Sequence, residues 1–166
     1  MELKMWEKIN LESKNLYLNC INKNLTITTA ESCTGGMISS AIVHINGSSK
    51  IFKSSLIVYS NDMKSKLLNI PNDLITKNGA VSEIIAFNMA KNSLEILNAD
   101  LSIAVTGIAG PTGDTPDKPV GLVWIAIGTK QKIITNKNQF FGNRLEVRQK
   151  TTYESLKLAN KIILEI

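Results

Sequence analysis

The run "LSIAVTG" at residues 101–107 constrains the fold more than any other stretch, because Leu101, Ile103, Ala104 and Val105 leave little polar alternation. A strand with one wet face alternates apolar and polar side chains, so this one reads as a strand buried within a sheet. Around it, short β-branched runs take turns with segments of helical period. "LTITTA" (25–30) and "SSLIVYS" (54–60) read as strands, and "VGLVWIAIG" and "KIITNKNQFF" as two more around a hairpin at 128–131. Helical spacing of apolar residues marks 5–23, about 34–45, 61–69, 83–98 with Ser82 as its N-cap, and 144–165. "IPNDLITKNGAVS" reads as a connector punctuated by Pro71 and Gly79. This order predicts an α/β protein, a three-layer α/β/α sandwich with a mixed, mostly parallel sheet of about five strands, forming a single domain over 1–166.

Composition narrows the class. With 166 residues, 43% of them hydrophobic and 20% charged, the chain is neither disordered nor fibrous. No apolar run approaches the roughly 20 residues needed to span a bilayer, and "MELKMWEKINLESK" is too charged for a signal peptide, so a cytoplasmic protein is expected. Cys20 and Cys33 form no disulfide framework and are expected as free thiols. The net charge of +5 suits a small anionic ligand. It also permits a nucleic acid, but the lysines occur singly, without the basic and aromatic interleaving of a single-strand binder.

In open α/β sheets ligands sit beyond the carboxyl ends of the strands, which selects three loops: 31–36, 59–64 and 107–119. The first, "AESCTGG", hands a strand over to a helix. Ser32 there is placed as a nucleophile, with the backbone N–H groups of the helix start as an oxyanion hole and Gly35 and Gly36 allowing close approach. Residue type alone fits an N-cap role for Ser32 or Thr34 better. Cys33 competes as nucleophile, but a cysteine needs a cationic activator. His44, the sole histidine, lies twelve residues beyond Ser32, about 18 Å along a helix, which argues against a Ser-His-Asp triad. One histidine with two scattered cysteines also argues against zinc.

The remaining base is a lysine. "VYSNDMKSK" places Tyr59 at a strand end and Lys64 a turn into the next helix, both able to face the first loop. To act, the lysine must lower its pKa from about 10.4 toward 7.5, a shift of roughly 4 kcal/mol that requires burial or neighbouring positive charge. Tyr59 could relay a proton; an exposed lysine and tyrosine fit the residues as well. The third loop, "GIAGPTGDTPDKP", holds three glycines and three prolines and is either a polar ligand loop or a surface connector. It matches neither a dinucleotide fingerprint nor a P-loop. Arg144 and Arg148, the only arginines, stand four apart at a helix start and could clamp a phosphate or simply face solvent.

Taken together, "AESCTGG", "VYSNDMK", "GAVSE", "VTGIAGPTGDTPDKPVGLVWIAI" and "GNRLEVRQKT" closely resemble the C-terminal domain of the CinA (competence/damage-inducible) family, which includes stand-alone nicotinamide-nucleotide amidohydrolases. The resemblance covers about residues 5–165 and lacks the further N-terminal domain of full-length members, as in the single-domain form. It implies deamidation of nicotinamide mononucleotide to nicotinate mononucleotide and ammonia, in pyridine nucleotide salvage, without metal or cofactor. Ser32 would be the nucleophile, Lys64 the general base and Tyr59 its helper. The substrate would be held by Glu31, Cys33, Thr34, Gly35 and Gly36 of the first loop, by Thr106, Gly107, Ala109 and Gly110 of the third, and by Arg144 and Arg148. The family also implies a homodimer or higher homo-oligomer, with no nucleic-acid or membrane partner. Some members show little deamidase activity, so a nucleotide-binding regulatory module without turnover is the alternative. A DNA-associated protein ranks last, because no groove-reading motif is present.

Overall fold

The computed structural model describes residues 3–166. Its helices are α1 (Met5–Lys23), α2 (Met37–Val43), α3 (Asn61–Leu68), α4 (Asn72–Asn78), α5 (Glu83–Ile96) and α6 (Arg144–Leu164). Its strands are β1 (Ile27–Glu31), β2 (Phe52–Ile57), β3 (Leu101–Gly107), β4 (Leu122–Thr129) and β5 (Ile133–Gln139), ordered β2-β1-β3-β4-β5. β1 pairs parallel with both β2 and β3, and β4 pairs antiparallel with β3 and β5. Four strands therefore run one way and β4 alone runs back, which is the mixed sheet the sequence predicts.

The central strand shows how the layers form. Leu101, Ile103 and Val105 of β3 pack into one apolar cluster with Ile9 and Leu16 of α1, Ile38 of α2 and Leu156 of α6. Ala104 points the other way, where Ala30 and Ala126 join it against Ile85 and Met89 of α5 and Leu68 of α3. Alternation along the pleat thus sends large side chains to one helical layer and small ones to the other. The small face lets α5 lie close to the sheet: a Cβ built on Gly128 would meet Ala90 at 3.5 Å.

Three differences from the sequence reading have local causes. The second helix starts at Met37, later than its apolar pattern suggests, because Gly35 (φ 57°) and Gly36 (φ 92°) take left-handed conformations that prolong the turn. The segment 72–78 is a helix, α4, inside what reads as a connector; at seven residues it is too short to show a period. Ser82 stands extended before α5 as expected, but its hydroxyl donates to the Gly79 carbonyl and accepts no helix N–H. The α6 start is set by Asn143, whose side chain accepts from the Glu146 amide while Glu146 accepts from the Asn143 amide, a reciprocal cap.

Candidate active site

The carboxyl ends of β1, β2 and β3 lie side by side, since Glu31 is in register with both Ile57 and Val105. The chain after each of them borders one cleft of about 430 Å³, within the usual range for small-molecule sites. Its lining includes Ser32, Cys33, Tyr59, Lys64, Thr106, Gly107, Ala109, Gly110 and Arg144. Asn61, Ile108, Thr112 and Gly113, from the loops selected by sequence though not named individually, line it as well, as do Ala80 and Val81, which lie outside those loops. Ala80 and Val81 belong to the quoted "GAVSE" stretch, so a signal was present, but nothing in that stretch says which loop it faces.

At the base of the cleft the Lys64 ammonium nitrogen lies 3.0 Å from Ser32 Oγ. It also donates to the carbonyls of Val58 at 3.0 Å and Tyr59 at 3.4 Å. Lys64 is 1% exposed, and among the described residues no carboxylate lies within ion-pair distance of it. Burial without a counter-charge penalises the ammonium, and its pKa falls from 10.5 to about 8, with Cys33 opposing the fall. Once neutral, the amine can keep its two carbonyl partners as acceptors and turn its lone pair toward the serine hydroxyl. The serine is equally fixed: its N–H donates to the Val105 carbonyl and its carbonyl accepts from Gly35.

Cys33 is no rival. Burial pushes its thiol up to about 12, so it stays protonated at neutral pH. Cys20 is likewise a free, buried thiol raised to about 12 by desolvation first and Asp100 second. His44 caps the far end of α2 and takes no part in the cleft.

Tyr59 meets Lys64 only through its carbonyl; its ring is exposed and its hydroxyl accepts from Arg144 Nη2 at 2.8 Å. Arg144 also donates to the Gly110 carbonyl at 2.7 Å, so its guanidinium spans the cleft mouth between two rims. Arg148 does not line the cleft; it donates to the Thr34 carbonyl from Nη2 at 2.7 Å and Nε at 3.2 Å. The two arginines are not brought together on one ligand-facing surface. Thr106 is buried and donates to the Ala80 carbonyl at 2.8 Å, tying β3 to the wall that precedes α5.

Glu31 is fully buried and also stays out of the cleft. Its carboxylate takes the amides of Gly36, Ile38 and Ser39, so the start of α2 cannot serve as the oxyanion hole expected there. The amides of Cys33 and Thr34, by contrast, make no main-chain hydrogen bond among the described residues. Thr34, Gly35 and Gly36 form the turn behind the serine; they are absent from the cleft lining.

A model of the CinA C-terminal domain matches residues 11–163. The chain belongs to the CinA C-terminal domain family. A CinA-like protein of Prochlorococcus marinus (strain MIT 9515) is 45% identical over 155 residues, covering 92% of this chain and 36% of that protein. Among solved structures, the competence/damage inducible protein CihA of Agrobacterium tumefaciens is 34% identical with a TM-score of 0.91, covering 96% of both chains. A CinA superfamily protein from Klebsiella pneumoniae 700603 superposes with a TM-score of 0.92 at 25% identity, covering 95% of this chain and 99% of that one. The chain spans between 30% and 38% of the length of the curated CinA relatives it matches. Among the described residues of this CinA domain, no helix is long and apolar enough to cross a membrane, and no group of three His, Cys, Asp or Glu could hold a metal.

Proposed function

We propose that this CinA domain is a serine amidohydrolase that converts nicotinamide mononucleotide to nicotinate mononucleotide and ammonia. One observation carries the reading: a serine hydroxyl and a buried, uncompensated lysine amine lie 3.0 Å apart at the base of a cleft open to a small molecule. A lysine with a pKa of about 8 suits a general base, because the neutral amine is populated near neutral pH while the protonated form can still donate.

In this reading Ser32 Oγ attacks the carboxamide carbon as its proton passes to Lys64 Nζ. The developing oxyanion is met by the amide of Cys33, which lines the cleft and has no main-chain partner. Collapse breaks the C–N bond, the nitrogen takes the proton from Lys64, and ammonia leaves a nicotinoyl ester on Ser32. Water then attacks that ester, giving its proton to Lys64, and the serine departs as a hydroxyl once the lysine returns it. Arg144 at the mouth is placed to hold the 5′-phosphate, aided by the backbone of 107–113, so the ring reaches the serine from the phosphate end inward.

Purified protein incubated with nicotinamide mononucleotide, with ammonia and nicotinate mononucleotide quantified, tests this. Ser32→Ala is expected to lose on the order of 1000-fold or more in kcat. The wild-type kcat/KM should climb with pH up to about 8 and then level off, as Lys64 loses its proton. Turnover by Ser32→Ala at the wild-type rate removes the serine from the mechanism, and absence of ammonia from the wild type removes the substrate.

A further inference from the structure

The turn that bears Ser32 is gripped from behind by two charged side chains that never face the cleft. Glu31 Oε2 accepts from Thr34 Oγ1 at 2.7 Å and from the amides of Gly36 and Ile38 at 3.0 Å each. Its Oε1 accepts from the Ser39 amide at 2.7 Å and from Thr29 Oγ1 at 3.2 Å. Arg148, reaching over from α6, holds the Thr34 carbonyl through two nitrogens. Thr34 is therefore fixed at its hydroxyl by one charge and at its carbonyl by the opposite one.

We propose that Glu31 is a positioning residue for the Ser32 nucleophile, acting with Arg148 as a clamp on Thr34; this rests on the serine-amidase reading above. The turn needs such a clamp because it contains two successive left-handed glycines, which give it conformational freedom that regular structure does not absorb. Ser32 is tied to β3 on its N-terminal side by the bond to Val105, but on its C-terminal side it depends on the 34–36 segment. If that segment drifts, Ser32 Oγ leaves the lysine amine and the neighbouring Cys33 amide, which lines the cleft, shifts with it. Displacements of about 1 Å in such geometry can cost about 100-fold in rate.

The carboxylate is chemically specific for this task. Three of its five partners are backbone amides, which only donate, and together its two oxygens accept from all of them. A glutamine of the same shape would set its NH2 group against N–H donors on one side or the other. Glu31 also occupies the amides of Gly36, Ile38 and Ser39 at the start of α2, so in this reading the oxyanion is left to the Cys33 amide, next to the residue the clamp holds.

The test compares Glu31→Gln and Thr34→Val with wild type, using two readouts. One is the rate at which a fluorophosphonate probe labels Ser32; the other is steady-state turnover of nicotinamide mononucleotide. Both variants are expected to label about 10- to 100-fold more slowly, with kcat falling in parallel and KM moving less than about twofold, since the phosphate end is untouched. Thr34→Ser, which restores the hydroxyl, should recover most of the loss. Wild-type labelling rates in folded Glu31→Gln and Thr34→Val, with only the melting temperature lowered, would overturn the proposal by reducing Glu31 to a fold-stabilising cap. Thr34→Val is nearly isosteric and carries the test if Glu31→Gln does not fold. Should wild-type protein label at Ser32 yet release no ammonia, the amidase reading fails while the labelling rates still decide the clamp.

Discussion

Burial brings the Lys64 ammonium down from 10.5 to about 8, and the same shift that suits it to proton transfer makes the folded state less stable than it could be. In the unfolded chain the lysine keeps its proton up to its ordinary value, whereas in the folded protein it releases it near pH 8. Between those two values the unfolded state binds more protons, so stability rises with pH across that window. Below pH 8 the full cost of roughly 3 kcal/mol is present; above about 10.5 it is gone. Lys64→Met removes the titration. It also leaves the Val58 and Tyr59 carbonyls without their amine partner, an offset that does not depend on pH. The stability of the variant minus that of the wild type is therefore expected to be most favourable below pH 8 and to decline by roughly 3 kcal/mol by pH 11. Denaturant titrations at a series of pH values measure this, and parallel curves for the two proteins would show that the lysine titrates normally.

The loop after β3 is shaped by the last residue of the strand. Gly107 passes so close to β4 that a built Cβ would sit 2.6 Å from Val123 Cγ2 and 2.8 Å from the Leu122 carbonyl oxygen, a backbone atom that cannot swing aside. Gly107→Ala is expected to push the 107–113 wall off β4, costing about 1–3 kcal/mol of stability and raising KM for the mononucleotide more than it lowers kcat. Unchanged melting temperature and KM would show that the strands absorb a methyl group there. Elements like this mark how far sequence can be read. The strands and long helices are legible because burial imposes periods of two and 3.6, and the adjacency of the Ser32 and Lys64 loops follows from parallel pairing of β1 and β2. Helix α4 is not legible, because seven residues between Pro71 and Gly79 carry punctuation in place of a period. Glu31 and Arg148 are also missed: both look like ligand-facing charges beside a nucleophile, and only the packing of α2 and α6 turns them toward the Thr34 turn. Tyr59 is the reverse case, its backbone serving Lys64 while its ring faces out to Arg144.

At the scale of the whole molecule, the cleft is assembled from segments far apart in the chain: 32–33 after β1, 59–64 after β2, 80–81 before α5, 106–113 at the end of β3 and beyond it, and Arg144 at the start of α6. No part of it survives unfolding, so a ligand that fits it binds the folded state alone and stabilises the entire domain. Ser32→Ala lets this be measured without turnover. At a concentration about 100 times its Kd, nicotinamide mononucleotide should add about 2.7 kcal/mol of stability, which for a chain of this size corresponds to a rise of about 5–10 °C in melting temperature. The comparison of ligands then locates the recognition. Arg144 is the cation lining the cleft mouth, with Lys64 buried at the base, so the phosphate should contribute through Arg144. Nicotinamide riboside, which lacks the phosphate, should give a clearly smaller shift at equal concentration, and Arg144→Ala in the Ser32→Ala background should bring the mononucleotide down to the riboside's value. Equal shifts for the two ligands would place the phosphate outside the Arg144 rim, and no shift with the mononucleotide would mean that the cleft was shaped for another molecule.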